Sequence, residues 1–203
     1  MEQRDTYTSV AGESRGTYRE KASRFIGLAL PVESEEEARL KLETVRKEYY
    51  DANHHCFAYR LGPSGETYRI SDDGEPSGSA GRPIHGQLLS ANLSDILIVV
   101  VRYFGGTKLG VPGLINAYRT AAKEAIAHAV LREKVLTDRF TVTFEYAHMN
   151  DIMKILKESG VSIHKQESGN ACSILFSIRR SKSETIRRKF ESLKNIYTSF
   201  NVS

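Results

Sequence analysis

The stretch DILIVVVRYFGGTKLGVPGL, residues 95–114, decides the fold of the first part of the chain. Its first half is a nearly continuous run of aliphatic and β-branched residues, which is typical of a strand buried on both faces. A glycine-rich turn follows, and Pro112 suits the first turn of a helix. The order strand, glycine-rich turn and helix predicts a mixed α/β architecture around one central strand.

The hydrophobic pattern on the N-terminal side of this stretch predicts further strands and helices. Residues 16–32 predict an antiparallel pair of strands, and Ser34 with Glu37 forms a capping box that opens a helix. Two short runs around the turn at 62–65 predict a hairpin, and residues 83–92 predict a short helix. Strands and helices therefore alternate through this part of the chain.

The residues after 138 predict a second pattern that is complete in itself. Apolar side chains repeat with a period of two in the predicted strands and with helical spacing between them. The predicted order is β-α-β-β-α-β, which is the ferredoxin-like split motif. Its elements cover residues 138–146, 150–160, 161–167, 172–180, 181–193 and 196–200, with a hairpin turn at Ser168-Gly169-Asn170 and a domain boundary at 132–138.

Composition indicates a folded protein without a membrane span. The hydrophobic content of 40% and the charged content of 27% are ordinary for a folded domain. The apolar run at 96–101 has only the length of a strand, and the first ten residues lack the apolar core of a secretory signal. Cys56 and Cys172 match no disulfide or zinc spacing, so we expect reduced thiols, no disulfide partner and a cytoplasmic location.

The net charge of +4 is carried by the C-terminal part of the chain. Residues 1–137 contain equal numbers of basic and acidic side chains, so the whole excess lies in residues 138–203. A basic bias of this size can assist contact with polyanions, although it also fits a solvated face. The candidates for a secondary basic surface are Arg179, Arg180, Arg187 and Arg188.

A second unusual stretch, SDDGEPSGSAGRP, occupies residues 71–83 and contains, apart from its two prolines, no apolar side chain larger than alanine. It lies between two predicted strands of one domain, where unstructured insertions are uncommon, so we expect an ordered loop. Its acids are adjacent rather than alternate, which does not match a calcium loop, and no metal site is predicted. We expect these acids to form ion pairs with Arg60, Arg69 or Arg82 and to cap turns, which would fix the loop.

The glycine-rich turn at 105–110 is the strongest candidate for binding chemistry. Unpaired N–H groups at the start of the following helix, with Lys108 beside them, can bind an anion. The same glycines also suit a tight connection from strand to helix, because they supply positive φ angles. The spacing matches neither a Walker A loop nor a dinucleotide fingerprint, and we predict no cofactor.

Catalytic motifs are absent from the sequence pattern. His54, His55 and Cys56 are consecutive on a strand and point to alternate faces, which is poor geometry for holding one ion. Ser77 and Ser79 lack the strand–turn–helix context of a catalytic nucleophile. We therefore predict no catalytic residue and expect the histidines to serve packing or hydrogen bonding.

The two stretches together resemble the signature of the YigZ/Impact family. The matching features are the double Asp followed by Gly-Glu-Pro, the Tyr-Phe-Gly-Gly-Thr-Lys-Leu-Gly run at 103–110, and the order and separation of the two. The resemblance implies that residues 1–135 fold like the second domain of ribosomal protein S5. It also implies that residues 138–203 resemble a domain of translocating elongation factors, so the predicted class is α+β with an S5-like domain followed by a ferredoxin-like one.

The resemblance also implies a function in translation. Eukaryotic relatives regulate translation in amino-acid starvation by binding a large ribosome-associated activator of a kinase, whereas bacterial members bring no assigned reaction. We expect a non-enzymatic protein that binds the ribosome, RNA or a translation-associated protein; the alternative is an enzyme acting on a phosphorylated small molecule or nucleotide. Under the resemblance we expect the loop 71–83 to pack near the glycine-rich turn, with its acids paired to Arg60, Arg82, Arg102 or Lys108. The predicted binding residues are Asp72, Asp73, Glu75, Arg82, Arg102, Tyr103, Phe104, Gly105, Gly106, Thr107, Lys108 and Gly110.

Overall fold

The structure is a computed structural model that describes residues 5–169, 171–192, 197 and 199–202. The chain divides into two units: one is formed by Tyr7–Lys134, and the other by the described residues on either side of that segment. In both units, helices pack against sheets whose strands are antiparallel. The class of the protein is therefore mixed α and β.

The first unit is built on a five-stranded sheet of order β2-β3-β6-β4-β5. Its hydrogen-bonded neighbours are all antiparallel. A separate two-stranded sheet pairs β1 with β7. The strands are β1 Thr6–Val10, β2 Ser14–Glu20, β3 Ser23–Pro31, β4 His54–Leu61, β5 Thr67–Ser71, β6 Ile96–Tyr103 and β7 Leu131–Val135, and the helices are α1 Glu35–Glu48, α2 Gly81–Ser90 and α3 Gly110–Ala127.

Strand β6 is the centre of this sheet, as its sequence predicts. All side chains from Ile96 to Val101 are fully buried, because the strand has covered faces on both sides. Helices α2 and α3 cover one face, where Ile98 and Val100 belong to the core. Helix α1 covers the other face, where Leu97 and Val99 pack.

Helix α1 starts where the capping residues predict. The Ser34 hydroxyl accepts a hydrogen bond from the Glu37 N–H at 3.1 Å. The Glu37 carboxylate accepts from the N–H of Glu33 at 2.8 Å, one residue before the position that a capping box would use. The first bond satisfies an N–H group that the helix itself leaves unpaired, and the second ties the residue before the cap to the first turn of the helix.

Helix α3 begins at Gly110, two residues before Pro112, where the sequence places its start. The segment 132–138 contains the division between the two units, at Lys134 and Val135, and also holds most of strand β7. Strand β1 was not predicted. Asp95 joins this small sheet to the unit: its Oδ2 accepts from the Tyr7 hydroxyl at 2.5 Å and from the Lys134 ammonium at 2.6 Å.

The second unit contains a four-stranded sheet of order β11-β8-β10-β9, with a hydrophobic core that includes Phe140, Phe176, Ile186 and Phe190. Asn170 of the predicted turn lies outside the described residues, as do Ile196 and Thr198 of the predicted last strand and Leu193 at the end of the predicted helix. The elements are β8 Thr137–Phe144, α4 Met149–Ser159, β9 Ser162–Glu167, β10 Cys172–Arg179, α5 Arg180–Glu191 and β11 Ser199–Val202.

Cys56 and Cys172 are both buried free thiols. Of the helices among the described residues, none is both long enough and apolar enough to span a bilayer.

Candidate functional site

The loop between β5 and α2 is organised by Asp72. Its carboxylate accepts three backbone hydrogen bonds, from Gly78 at 2.8 Å, Ala80 at 3.0 Å and Gly81 at 2.8 Å. Burial alone would raise the pKa of Asp72, but the three N–H groups and the charge of Arg82 hold this pKa below its ordinary value. The carboxylate thus fixes the loop backbone.

Asp73 ties the same loop to neighbouring elements. Its side chain pairs with Arg46 of α1 at 3.1 Å and accepts from the backbone N–H of His55 at 2.7 Å. Asp72 accepts backbone N–H groups, as expected for an acid that caps a turn, instead of pairing with one of the expected basic side chains. The expected partners are wrong for Asp73, which pairs with an arginine from a helix more than twenty residues earlier, and local sequence does not indicate this pair.

Glu75 forms the expected ion pair with Arg102, deep in the first unit. Arg102 Nη1 lies 2.6 Å from Glu75 Oε1, and the side chains are only 6% and 4% exposed. The hydroxyl of Tyr118 on α3 donates to the same oxygen at 2.7 Å. Burial, together with the neighbouring Cys56 and Glu75, raises the pKa of Tyr118, so the hydroxyl keeps its proton.

Arg102 is also packed between aromatic rings. Its guanidinium lies 5.4 Å from the ring centre of Phe25 and 5.4 Å from that of Phe104, which is within the range of cation–π attraction. Removing Glu75 or Arg102 alone would leave an uncompensated buried charge, which costs about 3–5 kcal/mol. This pair therefore fixes the loop 71–83 against strand β6.

The glycine-rich turn after β6 is held by backbone contacts. The N–H of Phe104 donates to the Asn53 side chain at 2.8 Å, and the N–H of Gly105 donates to the Ser23 hydroxyl at 3.1 Å. A Cβ at Gly105 would lie 2.1 Å from the backbone of Ala22, so only glycine fits there.

Helix α3 starts directly after this turn without a side-chain cap. Gly110 has a φ of +72°, which favours glycine, and the N-cap residue Leu109 makes no side-chain capping bond. The first N–H groups of an α-helix have no partner within the helix, so this end presents donors and a partial positive charge.

Both glycine-rich stretches line one groove of about 430 Å³. Glu75 and Pro76 come from the first stretch, and Arg102, Phe104 and Lys108 come from the second. The beginning of α3 completes the lining with Gly110, Val111 and Leu114.

His54 also lines this groove and was not predicted as a site residue. Its Nδ1 lies 2.8 Å from the carbonyl oxygen of Asp73, and because a carbonyl only accepts, Nδ1 is the donor. The other ring nitrogen lies 3.8 Å from Glu75 Oε1. Tyr118 was missed as well, because its apolar helical spacing indicates only a core position. No sequence signal links either residue to Glu75.

The other predicted binding residues lie outside the lining of the groove. Tyr103 donates to Asp51 at 2.8 Å, and its pKa is raised to about 12 by burial and by that carboxylate. Arg82 is exposed, and so are Gly106 and Thr107. The groove therefore gathers Glu75, Arg102, Phe104, Lys108 and Gly110, while Asp72, Asp73 and Gly105 support its walls.

The secondary basic set lies in the second unit, around the start of α5 and along it. All four arginines are exposed. Arg180 pairs with Asp138 at 3.0 Å, and Arg188 pairs with Glu184 at 3.1 Å. These pairs partly neutralise the set, which reduces its attraction for a polyanion. Within the described residues, no cluster of His, Cys, Asp and Glu is arranged to hold a metal ion.

Comparison with known proteins identifies the class of the chain. Residues 21–126 match the family described as the Impact N-terminal domain, a range that contains every residue of the groove. The chain is 37% identical over 138 residues to IMPACT family member YigZ of Escherichia coli strain K12, covering 67% of this chain and 68% of the relative. The chain therefore belongs to the Impact family.

Two further similarities extend this result. A protein IMPACT homolog of Saccharomyces cerevisiae is 30% identical over 114 residues, covering 54% of this chain but only 43% of the yeast protein. A solved structure described as a crystal structure of a hypothetical protein is similar over 98% of this chain and 97% of its own, with 28% identity and a TM-score of 0.73. The similarity to a solved structure thus covers both units.

Proposed function

We propose that this Impact-family protein acts in translation without catalysing a reaction, by binding ribosomal RNA or a ribosome-bound protein through the groove. The observation that carries the proposal is that both glycine-rich stretches line one groove instead of lying apart. Lys108 and the uncapped start of α3 give this groove positive charge, which favours a polyanionic partner. Family membership supports a role in translation, since this is what the resemblance to the eukaryotic regulators implies.

We further propose that residues 1–135 adopt the fold of the second domain of ribosomal protein S5, and that residues 138–203 form a ferredoxin-like domain. The element order β-α-β-β-α-β and the antiparallel sheet of order β11-β8-β10-β9 support the second assignment. A cytoplasmic location, where ribosomes are encountered, belongs to the same proposal.

Sedimentation with ribosomes tests the binding. The full chain should sediment with ribosomes at low salt and be released between about 50 and 200 mM salt, because phosphate contacts release counterions. Ribonuclease treatment distinguishes the two kinds of contact. It abolishes binding to RNA and leaves binding to a ribosomal protein intact. Absence of binding at low salt contradicts the proposal.

A matched pair of lysine variants locates the contact. Lys108→Ala should weaken binding and reduce the slope of log affinity against log salt by about one, since one phosphate contact is lost. Lys123→Ala removes an exposed lysine on α3 that does not line the groove, and should leave binding unchanged. Equal effects of the two variants would place the contact elsewhere.

One observation favours an enzyme as the second candidate. An imidazole and a carboxylate come together in the groove, with 3.8 Å between His54 Nε2 and Glu75 Oε1, which the sequence did not indicate. A screen for thermal stabilisation by phosphorylated metabolites and nucleotides tests this candidate, followed by product analysis. Turnover that is lost in both His54→Gln and Lys108→Ala would establish an enzyme and overturn the non-enzymatic proposal.

A further inference from the structure

The ion pair at the bottom of the groove has hydrogen-bonding atoms on both side chains that no described residue binds. Glu75 Oε1 receives both hydrogen bonds to this carboxylate, from Arg102 Nη1 and from Tyr118, and no described residue donates to Oε2. Arg102 Nη2 likewise donates to no described residue. Both side chains are more than nine-tenths buried and line the groove. The buried Arg102 Nε has no hydrogen-bond partner in the described part of the chain either. The ion pair therefore keeps both acceptor and donor capacity that the described residues do not use.

The negative and positive side chains of this pair together disfavour a charged ligand group beside them. A phosphate or carboxylate at this position would be repelled by Glu75, and an ammonium group would be repelled by Arg102. A neutral edge with an N–H donor next to an acceptor satisfies both side chains. The Watson–Crick edges of nucleobases have this arrangement, and proteins read unstacked bases in single-stranded RNA at these edges.

The apolar part of the groove suits a flat ring. Phe104 is 45% exposed, and Pro76 and Val111 extend the apolar lining beside it. Aromatic side chains that are exposed in this way stack on bases in proteins that bind single strands. The groove volume of about 430 Å³ is in the range of roughly 300–1,000 Å³ found for small-ligand sites.

The mouth of the groove provides the charge that a phosphate requires. Lys108 is exposed at the lining, and the first N–H groups of the 18-residue helix α3 lack a side-chain cap. A helix start of this kind binds phosphate through backbone donors and the helix dipole. The groove thus has an ion pair without net charge at its bottom, an aromatic side chain on its wall and positive charge at its opening.

We propose that the groove binds one unstacked nucleobase with its phosphate. The base lies against the exposed part of Phe104 with its polar edge toward the Glu75–Arg102 pair, and the phosphate lies at Lys108 and the start of α3. This inference rests on the proposed function, because the same groove is the contact surface. The ligand is a nucleoside monophosphate unit, either free or within single-stranded RNA.

Binding measurements on the full chain test this inference and distinguish the two sources. The probes are adenosine and cytidine monophosphates, a short single-stranded RNA, and ribose 5-phosphate as the probe without a base. We expect the nucleotides or the RNA to bind at least about tenfold more tightly than ribose 5-phosphate, since stacking acts only on the base. Tight binding of RNA with weak binding of free nucleotides identifies the strand as the ligand, and the reverse identifies the free nucleotide.

Three variants assign the contacts. Phe104→Ala should remove most of the preference for nucleotides over ribose 5-phosphate, whereas Lys108→Ala should weaken both classes of probe. Tyr50→Ala, which removes an aromatic ring that is 84% exposed and outside the groove, should change neither. Ribose 5-phosphate binding as tightly as the nucleotides, or equal losses in Phe104→Ala and Tyr50→Ala, would overturn the inference.

The ribosome assay separates this inference from the proposed function. Ribosome binding by a chain that binds neither nucleotides nor short RNA overturns the base-binding inference and leaves the proposed function standing. In that case, binding that survives ribonuclease identifies a polypeptide as the partner. Nucleotide binding by a chain that does not sediment with ribosomes overturns the proposed function and supports the base-binding site.

Discussion

Single side chains decide how the acidic loop is held, and its three acids do three different things. Asp72 accepts three backbone N–H groups, Asp73 joins the loop to α1, and Glu75 enters the core as an ion pair. The sequence predicts an ordered loop with paired acids, and it places Arg102 among the partners. It does not separate the three acids, because their roles depend on backbone positions that only the folded loop creates.

The carboxylate of Asp72 should make stability depend on pH. Its pKa in the folded protein lies below the ordinary value of 3.8, so the unfolded chain binds this proton first as the pH falls. The contribution is complete above about pH 5 and is lost as the pH falls through the folded pKa. Asp72→Asn should therefore lower the free energy of unfolding at pH 7 and flatten its decrease between about pH 5 and pH 3.

Urea unfolding at a series of pH values measures this effect. Glu133→Gln provides a control, because this exposed side chain has no ion pair or hydrogen bond among the described residues. An Asp72→Asn variant with the same pH dependence as the unsubstituted protein would show that the loop bonds do not stabilise the charged carboxylate.

Among the elements, α3 matters most for the groove, because it carries Tyr118 and provides the uncapped start. Its position on the sheet depends on a small residue in β3. A Cβ at Gly27 would lie 2.3 Å from the carbonyl oxygen of Ala121, so helix and strand are packed as closely as their backbones allow. The sequence indicates the apolar face of α3 but not this contact, which joins residues about ninety positions apart.

Gly27→Ala should therefore push α3 away from the sheet and destabilise the protein by about 1–3 kcal/mol. Gly12→Ala is the matched control, since an added Cβ there would meet no atom within 4 Å. Denaturant unfolding compares the two variants. Equal stability of both would mean that the helix relaxes at no cost, and the proposed groove would then tolerate movement of α3.

The loop 71–83 should resist proteolysis in the native protein, because its backbone is held by Asp72 and by the Glu75–Arg102 pair. Limited digestion should spare residues 72–81 in the unsubstituted chain and cut there in Asp72→Ala, whose three N–H groups lose their acceptor. Mass spectrometry of the fragments locates the cuts. Rapid cutting within the loop of the unsubstituted protein would show that the loop is not ordered.

Across the whole molecule, the sequence predicts elements with strong periodicity better than elements defined by distant pairing. Strand β6, helix α1 and the element order after residue 137 follow from local pattern. Strands β1 and β7 were missed because both are short, and β7 is exposed without alternation. The glycine-rich turn of the groove is predicted from the sequence. In contrast, only the fold brings His54 to the groove lining and Tyr118 to Glu75.

Each unit has its own hydrophobic core, so core substitutions should act on one unit at a time. Ile98→Ala should destabilise the first unit by about 2–5 kcal/mol, and Phe176→Ala the second by about 3–5 kcal/mol. Hydrogen exchange followed by mass spectrometry should show faster exchange mainly in the substituted unit. Faster exchange throughout the chain in both variants would indicate a single cooperative structure.

The contact of Asp95 with Tyr7 and Lys134 has an evolutionary consequence. Because Tyr7 and Lys134 bind the same carboxylate oxygen of Asp95, the two ends of the Tyr7–Lys134 segment lie next to each other. A segment with adjoining ends can be inserted into a host chain, or exchanged between hosts, without stretching what surrounds it. Such a segment can be transferred between genes as one unit, so that different chains carry it with unrelated sequences on either side.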